Sequence, residues 1–455
     1  MSEITYDHSG LYHQYRRQGG VLGTTAFLAM VACIVNCALP QIEMLFTGGR
    51  CPVPIAVIKI CSFGLLTLLT LAYGRLDLSA FPTGMWLVAM TYLSLDFVYL
   101  WLWGDKSPVD LIFDYNAYYC PLIFAPLACA FTGRLSERTA TRILISIFMV
   151  SAAIGWAQYI LQVPVVQLAS SDGNFRIYAS WWTAVGYAVR GTRAIRSCGI
   201  FGTAFEYGSF VVPIAGIGIG MCGRPGGRTK GIALYLFAVA CCYSTMTRTV
   251  FLQLIFATIA ALTFTFGRSP RRVIWQPLIG LVVAVAITFG GIAKLVGTER
   301  SLTDSSSIEL RLQQWGMYGL ELLHSTLPQK LFGLGFCQAE KPLIIPVDDI
   351  TVGGAYSVLV DNMYLALTLH IGLIGMLVIV ALMWAMWRRL RIETIKRPTP
   401  LLIGIASFCS TFLLNNMFNV SPALFGFWFL IAIMVLQRDA GSDAGSFRDP
   451  QPAAA

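Results

Sequence analysis

The stretch Gly231–Phe266, GIALYLFAVACCYSTMTRTVFLQLIFATIAALTFTF, decides the fold. Two apolar runs, Gly231–Tyr243 and Thr249–Phe266, flank the polar interruption Ser244-Thr245-Met246-Thr247-Arg248. Neither run alternates apolar with polar residues, so neither reads as a strand with one wet face. A run of about 17 to 25 apolar residues crosses the hydrocarbon core as a helix, and only helices or closed barrels satisfy their backbone groups there. The interruption reads as a tight turn between two antiparallel membrane helices.

The same pattern repeats outward from this pair. Toward the N-terminus the predicted spans are Ala204–Met221, Ile143–Leu161, Asn116–Phe131, Gly84–Leu102, Val53–Tyr73 and Val21–Leu39. Toward the C-terminus they are Val273–Leu295, Asn362–Trp387, Leu401–Leu414 and Ala423–Leu436. The fold class expected is an all-α polytopic membrane protein with about twelve transmembrane helices. Composition excludes a soluble domain. Charged residues are 12% of the chain and hydrophobic ones 56%, with a mean hydropathy of +0.68, where a soluble chain carries roughly a quarter charged residues.

Orientation follows from the basic residues, which collect in short cytoplasmic loops. With both termini cytoplasmic, Arg16 and Arg17, Arg134, Arg138 and Arg142, Arg224, Arg228 and Lys230, Arg268, Arg271 and Arg272, and Arg388 to Arg397 all fall on one side. The net charge of +9 is therefore a topology and anionic-lipid signal, with no nucleic-acid partner expected. The first span follows basic residues without a small-residue cleavage site and reads as a retained anchor. The expected organisation is a cytoplasmic tail at 1–20, a transmembrane catalytic domain at 21–437, and a Gly, Ser, Ala and Asp rich disordered tail at 438–455. Two long segments, 162–203 and 296–361, fall on the extracytoplasmic side, and long loops in compact proteins are commonly functional. Ser307–His324 has helical apolar spacing and reads as a helix along the outer interface.

Most of the twelve cysteines lie inside apolar spans and act as small hydrophobes. Cys51, Cys198 and Cys337 face the oxidising side on this topology, and whether Cys198 and Cys337 are bridged stays open. No CxxC or HExxH pattern occurs and the four histidines are scattered, so neither a metal nor a cofactor is expected. Chemistry is then sought among outer charges: Arg176, Arg190, Arg193, Arg196, Arg248, Arg300 and Arg311. Arg248 sits between two apolar helices, where a guanidinium is costly to desolvate unless an anion or carboxylate answers it. Arginines converging on one cavity would match a diphosphate. The alternative is a side chain that snorkels to lipid headgroups.

Arg196-Ser-Cys-Gly-Ile-Phe-Gly-Thr-Ala-Phe-Glu206, the Ser244–Val250 turn, Arg311-Leu-Gln-Gln-Trp315, Gly333-Leu-Gly335, Asp361-Asn362-Met-Tyr364-Leu and Gly372-Leu-Ile-Gly375 occur in this order. The ordered set resembles the Wzy-type polysaccharide polymerases and the O-antigen ligases. It covers roughly residues 196–375, while the earlier helices match in character alone. The resemblance implies metal-free glycosyl transfer from a polyprenyl-diphosphate-linked oligosaccharide, with a second such lipid as acceptor. It places the activity on the periplasmic face of a bacterial inner membrane. Arg196, Arg248 and Arg311 would hold the diphosphate, and Asp361 or Glu206 would take the acceptor proton. Asn362, Tyr364 and Trp315 would position substrate.

Asp361 stands where the ligases carry His, which favours a polymerase over a ligase that delivers glycan to a lipid A core. The resemblance also leaves room for a chain-length-regulating co-polymerase. Structural alternatives remain for each residue. Asp361 would serve as an N-cap, Glu206 would complement a helix dipole, and Tyr364 would be an aromatic belt residue. A lipid-oligosaccharide flippase or other secondary transporter is the remaining class. Asp96, the main charge deep within the spans, is its flag, although a buried hydrogen bond would also account for it.

Overall fold

A computed structural model describes residues 23–28, 55–73, 76–103, 107–133, 135–161, 185–187, 193–201, 204–267, 270–289, 315–316, 318–334, 362–417 and 422–436. These are mostly helical. Seven helical stretches among them are long and apolar enough to cross a membrane: Thr83–Trp103, Glu137–Leu161, Ala204–Cys222, Arg248–Phe266, Pro270–Ile287, Met363–Lys396 and Pro400–Met417. We number the helices α1 (Ile55–Tyr73), α2 (Thr83–Trp103), α3 (Pro108–Ile123), α4 (Glu137–Leu161), α5 (Ala204–Cys222), α6 (Arg228–Ser244) and α7 (Arg248–Phe266). They continue as α8 (Gln276–Phe289), α9 (Leu327–Phe332), α10 (Met363–Lys396), α11 (Pro400–Cys409), α12 (Phe412–Met417) and α13 (Pro422–Val435). The large loop before α5 adds a two-stranded antiparallel ribbon, β1 (Val185–Tyr187) with β2 (Arg193–Ile195), to the expected all-α fold.

Helix α5 is the hub. It is buried on every side, as a helix apolar all round must be, and packs on α6, α7 and α11. Its glycines make this possible. A Cβ on Gly216 would lie 2.8 Å from the Gly404 Cα of α11, and one on Gly218 would lie 2.8 Å from the Gly231 carbonyl of α6. Lipid tails are as apolar as a leucine, so membrane helices gain by close backbone approach at small residues. We expect Gly216→Leu to cost about 1–3 kcal/mol or more through overpacking. Heated detergent extracts followed by size-exclusion would show earlier loss of the folded peak. An unchanged melting profile would contradict the contact. Around this hub, Leu95 of α2, Ile160 of α4 and Ile255 and Ile259 of α7 point outward, the surface that lipid solvates.

The predicted basic turns meet at one end of the bundle. Arg224, after α5, pairs with Glu137 of α4 at 3.4 Å. Arg391 Nη1 of α10 donates to the Arg271 carbonyl at 2.8 Å, and Arg389 donates to the Ser79 carbonyl at 3.0 Å. The N-termini of α5, α7 and α10 lie at the opposite end.

Several spans differ from expectation at their edges. The span expected from Asn116 begins at Pro108, because proline suits a first helical turn, and it passes into 3₁₀ geometry over Ala125–Phe131. The span expected at Leu401–Leu414 breaks at Ser410 and Thr411, whose hydroxyls donate back to Ser407 and Phe408 carbonyls. The turn at Ser244–Thr247 is as expected, with Met246 in the left-handed region at φ 48. Of the interfacial helix expected at Ser307–His324, residues 315–316 and 318–324 are helical, and 307–314 lie outside the described residues. So do most of the first span, both terminal tails and most of the two long loops.

Helix α10 is broken at Gly372, which has φ 73 and ψ 174. The chain after α9 enters the break: Leu334 N donates to the Leu369 carbonyl at 2.7 Å, and Tyr92 of α2 donates to the Ile371 carbonyl. A Cβ on Gly372 would strike the Leu331 carbonyl, and one on Gly333 (φ 92) would strike that of His370. From Arg388 back to the break, the helix rises about 22 Å, within a hydrocarbon core of about 30 Å. Irregular backbone at that depth must be covered by protein, and α2, α9 and residues 333–334 supply the cover.

Candidate functional site

The segment Arg196–Phe201 is clamped onto α4. Gln158 Oε1 accepts from the Cys198 and Gly199 amides at 2.9 and 3.0 Å, and Gln158 Nε2 donates to the Gly199 carbonyl at 3.3 Å. Ser197 Oγ donates to the Gly155 carbonyl at 2.6 Å. Gly199 takes φ 56 there, and a Cβ would strike Ser151 Oγ, so the glycine in this element is needed for close approach. The Ser197 amide also donates to the Ser244 carbonyl at 3.0 Å. That bond ties the Arg196 segment to the turn from which Arg248 opens α7.

Helices α5 and α7 then run side by side from the same end. A Cβ on Gly208 would strike the Val250 side chain, and Ser209 Oγ donates to Gln253 Oε1 at 3.1 Å. Glu206 and Arg248, two residues before Gly208 and Val250, therefore occupy the first turns of adjacent parallel helices. Arg196 and Glu206 both bear on Cys198 between them. Burial, with Glu206 adding to it and Arg196 opposing, pushes the Cys198 thiol up to about 12. The thiol is free and donates to the Arg196 carbonyl at 3.6 Å. Cys337, its candidate bridging partner, lies outside the described residues. A buried thiol held protonated is a poor nucleophile, so maleimide at pH 7 is expected to leave Cys198 unlabelled until the protein unfolds. Labelling of the native protein at that position would contradict its burial.

Arg248 is the first residue of α7, whose N-cap Thr247 makes no side-chain cap bond. A cation there opposes the positive end of the helix dipole, while the same helix end attracts an anion. The arrangement suits an anion that the guanidinium and the α7 dipole hold together.

A second group of residues meets below Arg248. Leu252 and Phe256, on the Arg248 stripe of α7 at i+4 and i+8, pack with Trp315, Tyr364, Ala284, Leu414 and Met417. Tyr364 donates its hydroxyl to the Leu413 carbonyl at 2.9 Å and is partly buried. Asn362 is the N-cap of α10, its Oδ1 accepting from Leu365 N at 3.2 Å. Its Nδ2 approaches the Met417 sulfur at 3.8 Å. The cap on α10 is thus Asn362, and Asp361 and Arg311 lie outside the described residues. Among the expected site residues, Arg196 and Glu206 both act on Cys198 and Arg248 opens the adjacent helix at the same end, while Trp315, Asn362 and Tyr364 form a neighbouring group.

Three features were missed or undervalued from sequence. Gln158 clamps the Arg196 segment, and a polar residue late in an apolar span was its signal. Asn415 and Asn416 are buried at the end of α12; two consecutive amides at the end of an apolar span carried the same signal. Asp96 is buried and accepts a hydrogen bond from Tyr115, the bond anticipated for it, while its other oxygen has no hydrogen-bond partner. No protein-family description matches the chain, and no curated protein matches it.

Proposed function

We propose that this protein is a polysaccharide polymerase of the bacterial inner membrane, joining polyprenyl-diphosphate-linked oligosaccharide repeat units on the periplasmic side. The observation that carries the reading is the gathering of Arg196, Glu206 and Arg248 at one end of α4, α5 and α7, opposite the basic turns. On this reading about twelve helices cross the membrane with both termini cytoplasmic, and that end is periplasmic. Arg196 and Arg248, with Arg311 from the large loop, grip the donor diphosphate. They stabilise the charge that grows on it as the anomeric bond breaks. Glu206 or Asp361 accepts the proton of the attacking acceptor hydroxyl. Trp315, Asn362 and Tyr364 position the sugar chain. A membrane-embedded co-polymerase that sets chain length would bind outside this centre.

The test is purified protein with synthetic lipid-diphosphate repeat units in the presence of EDTA. Longer lipid-linked chains support the polymerase. Transfer only to a lipid A core would instead make it a ligase. Movement across vesicles with no new glycosidic bond would make it a flippase. Two observations favour that last reading: the buried Asp96 and the break in α10, since transporters use intramembrane charges and interrupted helices. The arginine cluster near a membrane boundary favours surface chemistry over translocation.

A further inference from the structure

Beside Arg248 the protein keeps a group of uncharged polar atoms that its own fold does not use. Asn416 is fully buried, and neither its Nδ2 nor its Oδ1 has a hydrogen-bond partner. Asn415 donates to Thr411 Oγ1 at 2.9 Å, yet its Oδ1 has none, and neither does the buried Nε1 of Trp315. Asn362 Nδ2 has only the Met417 thioether at 3.8 Å, a weak acceptor. Tyr364 donates its hydroxyl to the Leu413 carbonyl and is the polar neighbour of Asn416. Because Tyr364 also packs with Trp315, Leu414 and Met417, Asn416 and the indole belong to one neighbourhood. Buried amides left unmade are destabilising, and each calls for an explanation outside the packing.

We propose that Asn416, Asn415 and Trp315 form a subsite for an uncharged pyranose, the sugar joined directly to the diphosphate. The inference rests on the glycosyl-transfer reading above and adds the part of the substrate it recognises. An amide presents a donor and an acceptor side by side, which matches vicinal hydroxyls or an acetamido group. Indole supplies one more donor and an apolar ring face. Among the described residues of this group, Asn415, Asn416, Trp315, Asn362 and Tyr364 all carry uncharged polar groups, which suit sugar hydroxyls. Leu252 and Phe256 offer apolar surface for the C–H face of the sugar. One helical turn, about 5.4 Å, separates the Arg248 and Leu252 levels of α7, a spacing that one sugar ring fills between phosphate and amides.

The test uses the full-length protein in lipid nanodiscs and three probes: polyprenol, polyprenyl diphosphate alone and polyprenyl diphosphate carrying one N-acetylhexosamine. Wild type is expected to bind the sugar-bearing probe more tightly. Asn416→Leu is expected to lose at least about tenfold in that affinity, to keep its affinity for the bare probe, and to melt at a higher temperature because an unsatisfied amide is gone. Trp315→Phe, which keeps the ring and removes the N–H, serves where Asn416→Leu does not fold and is expected to lose the same preference. A variant that retains the full sugar preference overturns the subsite, as does an Asn416→Leu protein with lowered stability and unchanged binding. Wild type that binds the bare probe yet gains nothing from the sugar refutes the subsite alone. Wild type that binds polyprenyl diphosphate no better than polyprenol refutes the underlying diphosphate reading, and the subsite with it.

Discussion

Arg248→Ala is expected to lower glycan elongation by at least about a hundredfold, the range that loss of one preorganised charge-stabilising donor produces, while the protein still inserts and folds. Arg248 begins α7 against the helix dipole, so its charge does not stabilise that helix end. Substrate turnover loses the group aimed at the growing negative charge. Lysine in its place is expected to restore part of the rate, because an ammonium supplies the charge without the planar fork that matches phosphate oxygens. Electrophoresis of lipid-linked products from purified variants reads the effect, and size-exclusion confirms insertion. Arg311→Ala should behave alike on the strength of the resemblance. Normal polymer from the Arg248 variant would remove that residue from the site.

Glu206→Gln is the second large effect. Glu206 lies in the first turn of α5 beside Cys198 and Arg196, within the group that Arg248 joins. The amide keeps the shape of the side chain and removes its capacity to take a proton. If Glu206 is the base, kcat falls by about 10² to 10⁴, with KM for the lipid-linked unit little changed. A helix-dipole role alone would instead change stability by under about 1 kcal/mol and leave turnover intact. Full activity in Glu206→Gln together with inactive Asp361→Asn would move the base to Asp361.

The helices were legible because apolar runs in this chain leave little choice of structure. The turn at Ser244–Thr247 was readable for the same reason, since three hydroxyl residues and Arg248 within five positions interrupt an apolar span. Edges were harder. The span was expected from Asn116, yet Pro108 opens the helix, as a proline can at a first helical turn. The break at Gly372 was invisible, since glycine occurs freely in membrane helices and the partners that require it, Leu331 and Leu334, come from a distant loop. At the site, the Arg196 element and the α7 turn were found as separate motifs. Their contact, Ser197 to Ser244, depends on Gln158 and Gly155 of α4, which periodicity cannot connect to them. Asn415 and Asn416 passed unnoticed because an amide is cheap to overlook in a run of apolar letters. Its significance appears only once burial and lack of partners are known.

The central claim is that one end of α5 and α7 grips a polyprenyl diphosphate. Photo-crosslinking measures it directly: a polyprenyl diphosphate with a diazirine on the isoprenoid unit nearest the phosphates is irradiated with the protein in nanodiscs, and labelled peptides are mapped by mass spectrometry. The account predicts label within the segments that begin α5 and α7, around 204–208 and 248–256, and loss of that label in Arg248→Ala. Label confined to the basic turns at 223–230 and 270–275, unchanged by the substitution, would contradict it.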